Sequence, residues 1–182
     1  KNRFAQFVIV YGERGGGKHE IVKALCNHLA LPMRVYENTV EGARLAQQMV
    51  ETTGQSQICV FYDTDNMRQE AFSILLKTTE EVENKCYIII TCSSLEKIPA
   101  TIINRGYTVK QPYYEREVLC GYARNMFGIE DFEILNFVLS IAHTPGQIRE
   151  INAFKSIKEF KDYVELTAKE IDKVDIVNAM KM

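Results

Sequence analysis

A glycine-rich segment near the start of the chain has the spacing of a phosphate-binding loop. Residues 12–19 read Gly-Glu-Arg-Gly-Gly-Gly-Lys-His, which matches the pattern GxxxxGK and fails at the next position, where serine or threonine is expected. An apolar run leads into the loop and a helical pattern follows it, which makes a turn without a ligand the weaker interpretation. Glycines there let backbone N–H groups point at phosphates, and the lysine reaches the terminal phosphates. We predict that a nucleotide site includes Gly12, Gly15, Gly17, Lys18 and His19.

His19 is the departure that matters chemically. The hydroxyl normally found at this position binds Mg²⁺, a hard cation that prefers oxygen ligands in a tight octahedron. An imidazole is bulkier and a poor replacement for that hydroxyl. We therefore expect the binding of ATP or ADP with Mg²⁺ to be weakened or lost.

A second candidate site follows an apolar run, where residues 57–65 read Gln-Ile-Cys-Val-Phe-Tyr-Asp-Thr-Asp. This is the Walker B pattern, in which the first aspartate, here Asp63, holds Mg²⁺ through water and the next residue is normally a glutamate that polarises the attacking water. Thr64 occupies that position and cannot act as a general base at neutral pH, so hydrolysis should fall severely unless Asp65 substitutes for it. The alternative for Asp63 is an ordinary strand-end aspartate that caps the following helix.

These residues need a scaffold, and the rest of the sequence predicts one. Short β-branched and aromatic runs alternate with helical patterns over the first 112 residues, which favours a parallel five-stranded sheet between helices. Past Pro112 the strand pattern disappears and the remainder reads as helices, with Thr144 as an N-cap and Pro145 at a first helical position. We predict an α/β core, 1–112, and a small all-helical domain, 113–182. The predicted strands are 7–11, 34–36, 58–62, 87–91 and 107–109, and the predicted C-terminal helices are 114–126, 131–142, 146–154 and 157–174.

Composition excludes several classes of protein. With 46% apolar residues among 182, the chain can bury a core and is not disordered. Five cysteines form an odd set without a CxxC pair, which indicates buried thiols rather than a disulfide framework or a zinc site. No apolar stretch approaches the roughly 20 residues of a membrane span, and residues 1–6 lack the apolar run of a signal peptide, so we expect a cytoplasmic protein. The formal charge of −2 makes any nucleic-acid contact a local one.

Three further segments make the pattern specific. Residues 71–81 read AFSILLKTTEE, residues 87–98 read YIIITCSSLEKI, and residues 99–105 read PATIINR. They resemble the clamp-loader branch of the AAA+ superfamily, whose pattern is approximately NALLKTLEEPP, an apolar strand ending TTN, PEKI and PTIxSRC. The resemblance covers about residues 4–154 and is to the delta-prime and gamma/tau type of subunit in bacterial DNA polymerase III, with delta-prime the closer analogue because its own nucleotide site is also degenerate. Matching residues are Leu75, Leu76, Lys77, Thr78, Glu80, Glu81, Thr91, Glu96, Lys97, Ile98, Thr101, Ile102 and Arg105.

The resemblance implies roles at matching positions. Arg105 corresponds to the arginine finger, which reaches a neighbouring subunit's γ-phosphate and stabilises charge in the transition state. The alternative for Arg105 is a surface arginine before a strand, because Asn104 and Gly106 replace the flanking Ser and Cys of the family. Arg149 corresponds to the sensor-2 arginine that couples the helical lid to nucleotide, or else it lies on a solvated helix face. Ser94 replaces the sensor-1 asparagine and retains a hydroxyl without the amide.

The resemblance also implies partners: other clamp-loader subunits, a sliding clamp, and DNA through the assembled complex. Bacterial relatives carry a four-cysteine zinc module after the phosphate loop. Only Cys26 and Cys59 lie in that interval here, so we expect no zinc. The relatives continue into a C-terminal collar domain, which we do not expect within these 182 residues. Arg68, near a helix start, would face DNA in the family, and such binding should depend on salt and not on sequence.

Three functional hypotheses remain open at this point. The first is a weak or inactive ATPase that supplies Arg105 to a neighbour in a ring that loads a sliding clamp. The second is an active AAA+ ATPase in which Asp65 serves as the base. The third is a small P-loop phosphotransferase of the nucleoside-monophosphate-kinase type, which has no use for the LLKTTEE segment.

Overall fold

The chain is described by a computed structural model over residues 5–53, 55–81 and 86–153 and at the isolated positions 159, 161, 162 and 165. It divides into two compact units, Lys1–Pro112 and Tyr113–Met182. The division follows Pro112, where the strand pattern of the sequence ends. The predicted helix over 157–174 falls outside the described residues apart from the four isolated positions.

The first unit is a five-stranded sheet in which every neighbouring pair of strands is parallel, with the order β2-β3-β4-β1-β5. This confirms the predicted fold class and the predicted number of strands. Strand ends shift by a residue or so from the predicted ones, because pairing with neighbours sets them. The strands are β1 Phe7–Tyr11, β2 Met33–Val35, β3 Gln57–Phe61, β4 Cys86–Cys92 and β5 Tyr107–Lys110, and the helices are α1 Lys18–Leu29, α2 Val40–Thr53, α3 Gln69–Glu81 and α4 Ala100–Ile103.

The central strands are buried on both faces, which explains why their sequences are apolar without alternation. In β1, Phe7 and Ile9 enter one core cluster, while Val8 and Val10 enter the cluster on the opposite face. Because all five strands are parallel, their carboxyl ends lie along one edge of the sheet. Ligands of open α/β sheets bind at that edge, next to the loops that follow the strands.

The second unit contains three described helices, α5 Arg116–Phe127, α6 Phe132–Ile141 and α7 Pro145–Asn152. The predicted cap of α7 is confirmed: the Thr144 side chain accepts a hydrogen bond from Gln147 N, and the Gln147 side chain bonds back to the backbone N–H of Thr144 in a capping box. Leu119, Val138 and Ile148, one from each helix, are buried together in the core of the unit. Among the described residues, no helix combines the length and the apolar character that a membrane span requires.

Candidate nucleotide site

The phosphate loop lies at the carboxyl edge of the sheet, between the end of β1 and the start of α1. Its glycines take conformations that other residues rarely adopt, with φ of 153° at Gly12, 77° at Gly15 and 85° at Gly17. Gly12 N donates to Cys92 O at the end of β4, at 3.2 Å, which fixes the start of the loop to the neighbouring strand. The strand, loop and helix that the motif requires are therefore all present.

Lys18 is buried within its own loop, with 5% of its surface exposed. Its ammonium donates hydrogen bonds to Gly12 O and Glu13 O, each at 2.9 Å. These two carbonyls satisfy a cation that would otherwise be costly to bury. The lysine that was predicted to reach phosphates thus also holds the loop closed on itself.

Gln111, which belongs to no motif in the sequence, follows the end of β5 and covers the loop. Its backbone N–H donates to Tyr11 O at 2.7 Å, and its side chain lies against Gly16 and Gly12. A Cβ atom at Gly16 would stand 1.8 Å from Gln111 Nε2. Gln111 is 5% exposed, and its Oε1 is buried without a hydrogen-bond partner among the described residues. The run of three glycines was the one signal of such a close approach.

His19 and Asp63 meet, although they lie far apart in the sequence. His19 Nε2 stands 3.4 Å from Asp63 Oδ2, and the imidazole packs on the Tyr62 ring with 3.9 Å between centroids. The structure therefore brings together the two positions that would hold Mg²⁺ in the family. The pair offers an imidazole nitrogen where Mg²⁺ needs oxygen, so these residues do not fit Mg²⁺ and we derive no catalytic step through it.

Asp63 is held in a left-handed conformation, with φ of 54°, that is uncommon for a residue with a side chain. Two neighbours stabilise it there. The Thr91 hydroxyl accepts a hydrogen bond from Asp63 N at 2.8 Å, and the Asn38 side-chain amide donates to the carbonyls of Asp63 and Tyr62. Asp63 has no cap bond to the turn that follows, Thr64–Asn66, so a conventional helix cap does not describe it.

Thr64, which stands where the predicted Walker B motif normally has its glutamate base, has a side chain that points into the protein. Thr64 is fully buried, and its hydroxyl donates to Thr91 O at 3.1 Å. Asp65 Oδ1 accepts hydrogen bonds from Ser93 N at 2.9 Å and from Ser93 Oγ at 2.5 Å, and lies 3.5 Å from Lys97 Nζ. Burial works to raise the pKa of Asp65, but the Ser93 hydrogen bonds and the Lys97 charge outweigh it and lower that pKa below its usual value.

Ser94 makes its hydrogen bond within its own turn. Its hydroxyl accepts a hydrogen bond from Glu96 N at 3.3 Å and caps the short turn Leu95–Lys97. Its neighbour Ser93 is the residue that contacts Asp65, which no sequence signal indicated. The end of β4 is thus tied to the loop after β3 through Ser93.

Arg105 lies between α4 and β5, with an exposed guanidinium that forms an ion pair with Glu80 near the end of α3. Glu80 belongs to the LLKTTEE segment, so two parts of the clamp-loader pattern meet in space. In the helical unit, Arg149 Nη2 donates to the Tyr122 hydroxyl at 3.2 Å. That contact fixes Arg149 against α5.

Part of the chain is similar to a known protein family. Residues 34–113 match the family model described as DNA polymerase III, delta subunit. The matched range contains Asp63, Asp65, Ser94 and Arg105, and it starts after the phosphate loop. No curated protein matches the chain.

Solved structures with the same fold include a branch migration motor. The Thermotoga maritima RuvB Holliday junction branch migration motor has a TM-score of 0.63 at 10% sequence identity, over 87% of this chain and 56% of that chain. A RuvB variant from the same organism has a TM-score of 0.60 at 11% identity, over 87% and 56%. The chain thus spans a little over half the length of these structures, and at such identity the likeness shows the fold alone. The chain is thus similar to the DNA polymerase III delta subunit family over residues 34–113, and it shares its fold with these RuvB structures.

Proposed function

We propose that this protein is a subunit of a clamp-loader-like ring in DNA replication, that it has weak or no ATPase activity of its own, and that it supplies Arg105 to the ATP site of a neighbouring subunit. Its partners are other clamp-loader subunits, a sliding clamp, and DNA through the assembled complex. The matched family, described as a DNA polymerase III subunit, supports the replication setting.

The observation that carries this proposal is the position of Arg105 relative to the sheet. Strands β1 and β5 are parallel, with Val8 opposite Tyr107 and Tyr11 opposite Lys110. The phosphate loop follows the carboxyl end of β1, whereas Arg105 precedes the amino end of β5. A strand of this length separates the two edges by roughly 13 Å at about 3.3 Å per residue. Arg105 therefore lies at the edge of the sheet opposite its own phosphate loop, and its side chain keeps exposed surface for another subunit.

The residues around the chain's own base position support the second part of the proposal. A buried Thr64 hydroxyl that donates to a backbone carbonyl offers no base. Asp65, the substitute considered from sequence, already accepts two hydrogen bonds from Ser93, and its lowered pKa makes it a weaker proton acceptor. The isolated chain should therefore hydrolyse ATP only slowly.

The ion pair with Glu80 gives the finger a defined resting position. Both side chains are about half exposed, so the pair is a weak, solvent-screened contact that an incoming phosphate can replace. A guanidinium forms stronger, bidentate hydrogen bonds with phosphate oxygens. Glu80 thus orients Arg105 without competing strongly for it.

The test is an Arg105→Ala variant in the reconstituted complex, with ATP hydrolysis measured in the presence of clamp and primed DNA. Loss of an arginine finger should slow the partner's hydrolysis by about a thousandfold or more. The matched control is Arg44→Ala, since Arg44 is a similarly exposed arginine in an ion pair with Glu70. An unchanged rate with Arg105→Ala, or robust Mg²⁺-dependent hydrolysis by the isolated chain, would contradict the proposal.

A further inference from the structure

We propose that His19 and Asp63 form the protein half of a site for a borderline divalent cation, of the Zn²⁺ or Co²⁺ class, that binds together with the phosphates of a nucleotide. This cation takes the place of the Mg²⁺ that the family implies. The inference requires that the phosphate loop binds a nucleotide, and it is independent of any role of Arg105 towards a neighbour.

The first support is the distance between the two donor atoms. His19 Nε2 and Asp63 Oδ2 are 3.4 Å apart, which is longer than the roughly 2.7–2.9 Å of a charge-assisted hydrogen bond. A cation bound at about 2.1 Å from each atom, with a tetrahedral angle between them, would place the two atoms about 3.4 Å apart. The observed separation therefore matches the spacing of two ligand atoms on one tetrahedral cation.

The second support is the chemistry of the donors. Imidazole nitrogen suits Zn²⁺, Co²⁺ and neighbouring first-row cations, while Mg²⁺ prefers oxygen and a near-ideal octahedron. A carboxylate oxygen serves either class. The exchange of a hydroxyl for an imidazole thus changes which cation the position prefers and does not by itself abolish cation binding.

The third support is the way the pair is held in place. The Tyr62 ring packs against the His19 imidazole, and the hydrogen bonds from Asn38 and to Thr91 keep Asp63 in its left-handed conformation. Strained backbone of this kind persists where surrounding contacts enforce it, and it is enriched at ligand sites. These contacts hold the backbone of Asp63 and one face of the His19 ring, while both side chains keep exposed surface that a ligand can reach.

Nucleotide phosphates are the source of the remaining ligands. Among the residues that the structure describes, no group of three or more His, Cys, Asp or Glu side chains could hold a metal ion. His19 is the second residue of α1 and follows the last loop glycine, Gly17, by two positions, so phosphates bound by that loop would lie beside the His19–Asp63 pair. Phosphate oxygens would complete the coordination that the two side chains begin.

The experiment measures ADP binding to the purified chain by calorimetry with Mg²⁺, Co²⁺ or Mn²⁺, or in EDTA. We expect ADP to bind at least about tenfold more tightly with Co²⁺ than with Mg²⁺. The visible spectrum of Co²⁺ provides a second readout, because tetrahedral nitrogen and oxygen coordination gives intense absorption bands. Equal affinity with Co²⁺ and Mg²⁺, undiminished affinity in EDTA, or no ADP binding under any condition would overturn the inference.

Two substitutions assign the effect to the pair. His19→Thr restores the usual hydroxyl and should reverse the preference towards Mg²⁺, with loss of the Co²⁺ bands. His28→Thr, at an exposed histidine in the last turn of the same helix, is the matched control and should leave the cation preference unchanged. If His19→Thr still bound ADP more tightly with Co²⁺ than with Mg²⁺, the inference would be wrong. None of these results depends on the Arg105→Ala rate in the complex, so the two proposals fail separately.

Discussion

Replacing Gly16 with alanine tests whether Gln111 shapes the phosphate loop. The new Cβ would stand 1.8 Å from Gln111 Nε2 and 2.3 Å from Cδ, whereas unbonded atoms of this size approach to about 3.5 Å. The carboxamide must therefore retreat by more than about 1 Å, and the loop leaves little space because Gln111 is 5% exposed. Gly16 is not among the glycines with positive φ, so the penalty is steric and not conformational.

We expect Gly16→Ala to lower the free energy of unfolding by about 1–3 kcal/mol, the usual cost of overpacking. In the double variant Gly16→Ala/Gln111→Ala the obstructing carboxamide is gone, so most of that cost should disappear. The corresponding coupling energy in a double-mutant cycle is about 1–2 kcal/mol. Urea unfolding followed by circular dichroism measures all four proteins of the cycle.

The matched control is Gly121→Ala in α5, where an added Cβ meets no atom within 4 Å. Alanine should stabilise that helix by roughly 0.5–1 kcal/mol, the opposite sign to Gly16→Ala. If Gly16→Ala costs the same with and without the Gln111 side chain, the steric reasoning is wrong. Gln111 would then lie near the loop without constraining it.

Two further substitutions follow from single contacts. Asp65→Ala should destabilise the chain by about 2 kcal/mol at pH 7, because Ser93 N loses its charged acceptor. The folded-state pKa of Asp65 is lowered, so this contribution is present above the ordinary carboxyl range and fades as the pH falls below about 4. The free energies of unfolding of the wild-type protein and Asp65→Ala, measured by urea titration, should therefore converge as the pH falls through that range. A difference that stays constant with pH would refute the role given to the Asp65 carboxylate. Thr144→Ala should cost α7 about 1 kcal/mol and speed amide exchange at Gln147, whereas unchanged exchange would show that the capping box contributes nothing.

The sequence was sufficient for the fold because the fold rests on local patterns. Doubly buried strands read as unbroken apolar runs, and Pro145 after Thr144 specified a helix start with its cap. Strand and helix ends were imprecise by one or two residues, and the short helix Ala100–Ile103 was not predicted. The edge strand β2 was predicted at 34–36 and lies at Met33–Val35, because pairing of Met33 with Ile58 sets its register.

The sequence was sufficient to predict the motifs of the candidate site, but it did not predict which residues contact one another there. His19 and Asp63 were each singled out by type and spacing, yet their meeting depends on the strand order, which brings the loops after β1 and β3 to one edge of the sheet. Gln111, Asn38 and Ser93 carry no motif, so nothing in the sequence distinguished them from other polar residues. Their roles come from the close approach of separate loops.

Lys18 changes how a standard experiment on this protein should be interpreted. Substitution of a phosphate-loop lysine is commonly used as a probe of nucleotide use, on the assumption that the side chain contacts only the ligand. Here the ammonium also donates hydrogen bonds to two backbone carbonyls of its own loop, so Lys18→Ala would leave Gly12 O and Glu13 O without these donors. A loss of function in that variant could result from a changed loop conformation as well as from a missing contact with phosphate. Lys18 therefore has a structural role in the loop beside any contact with phosphate.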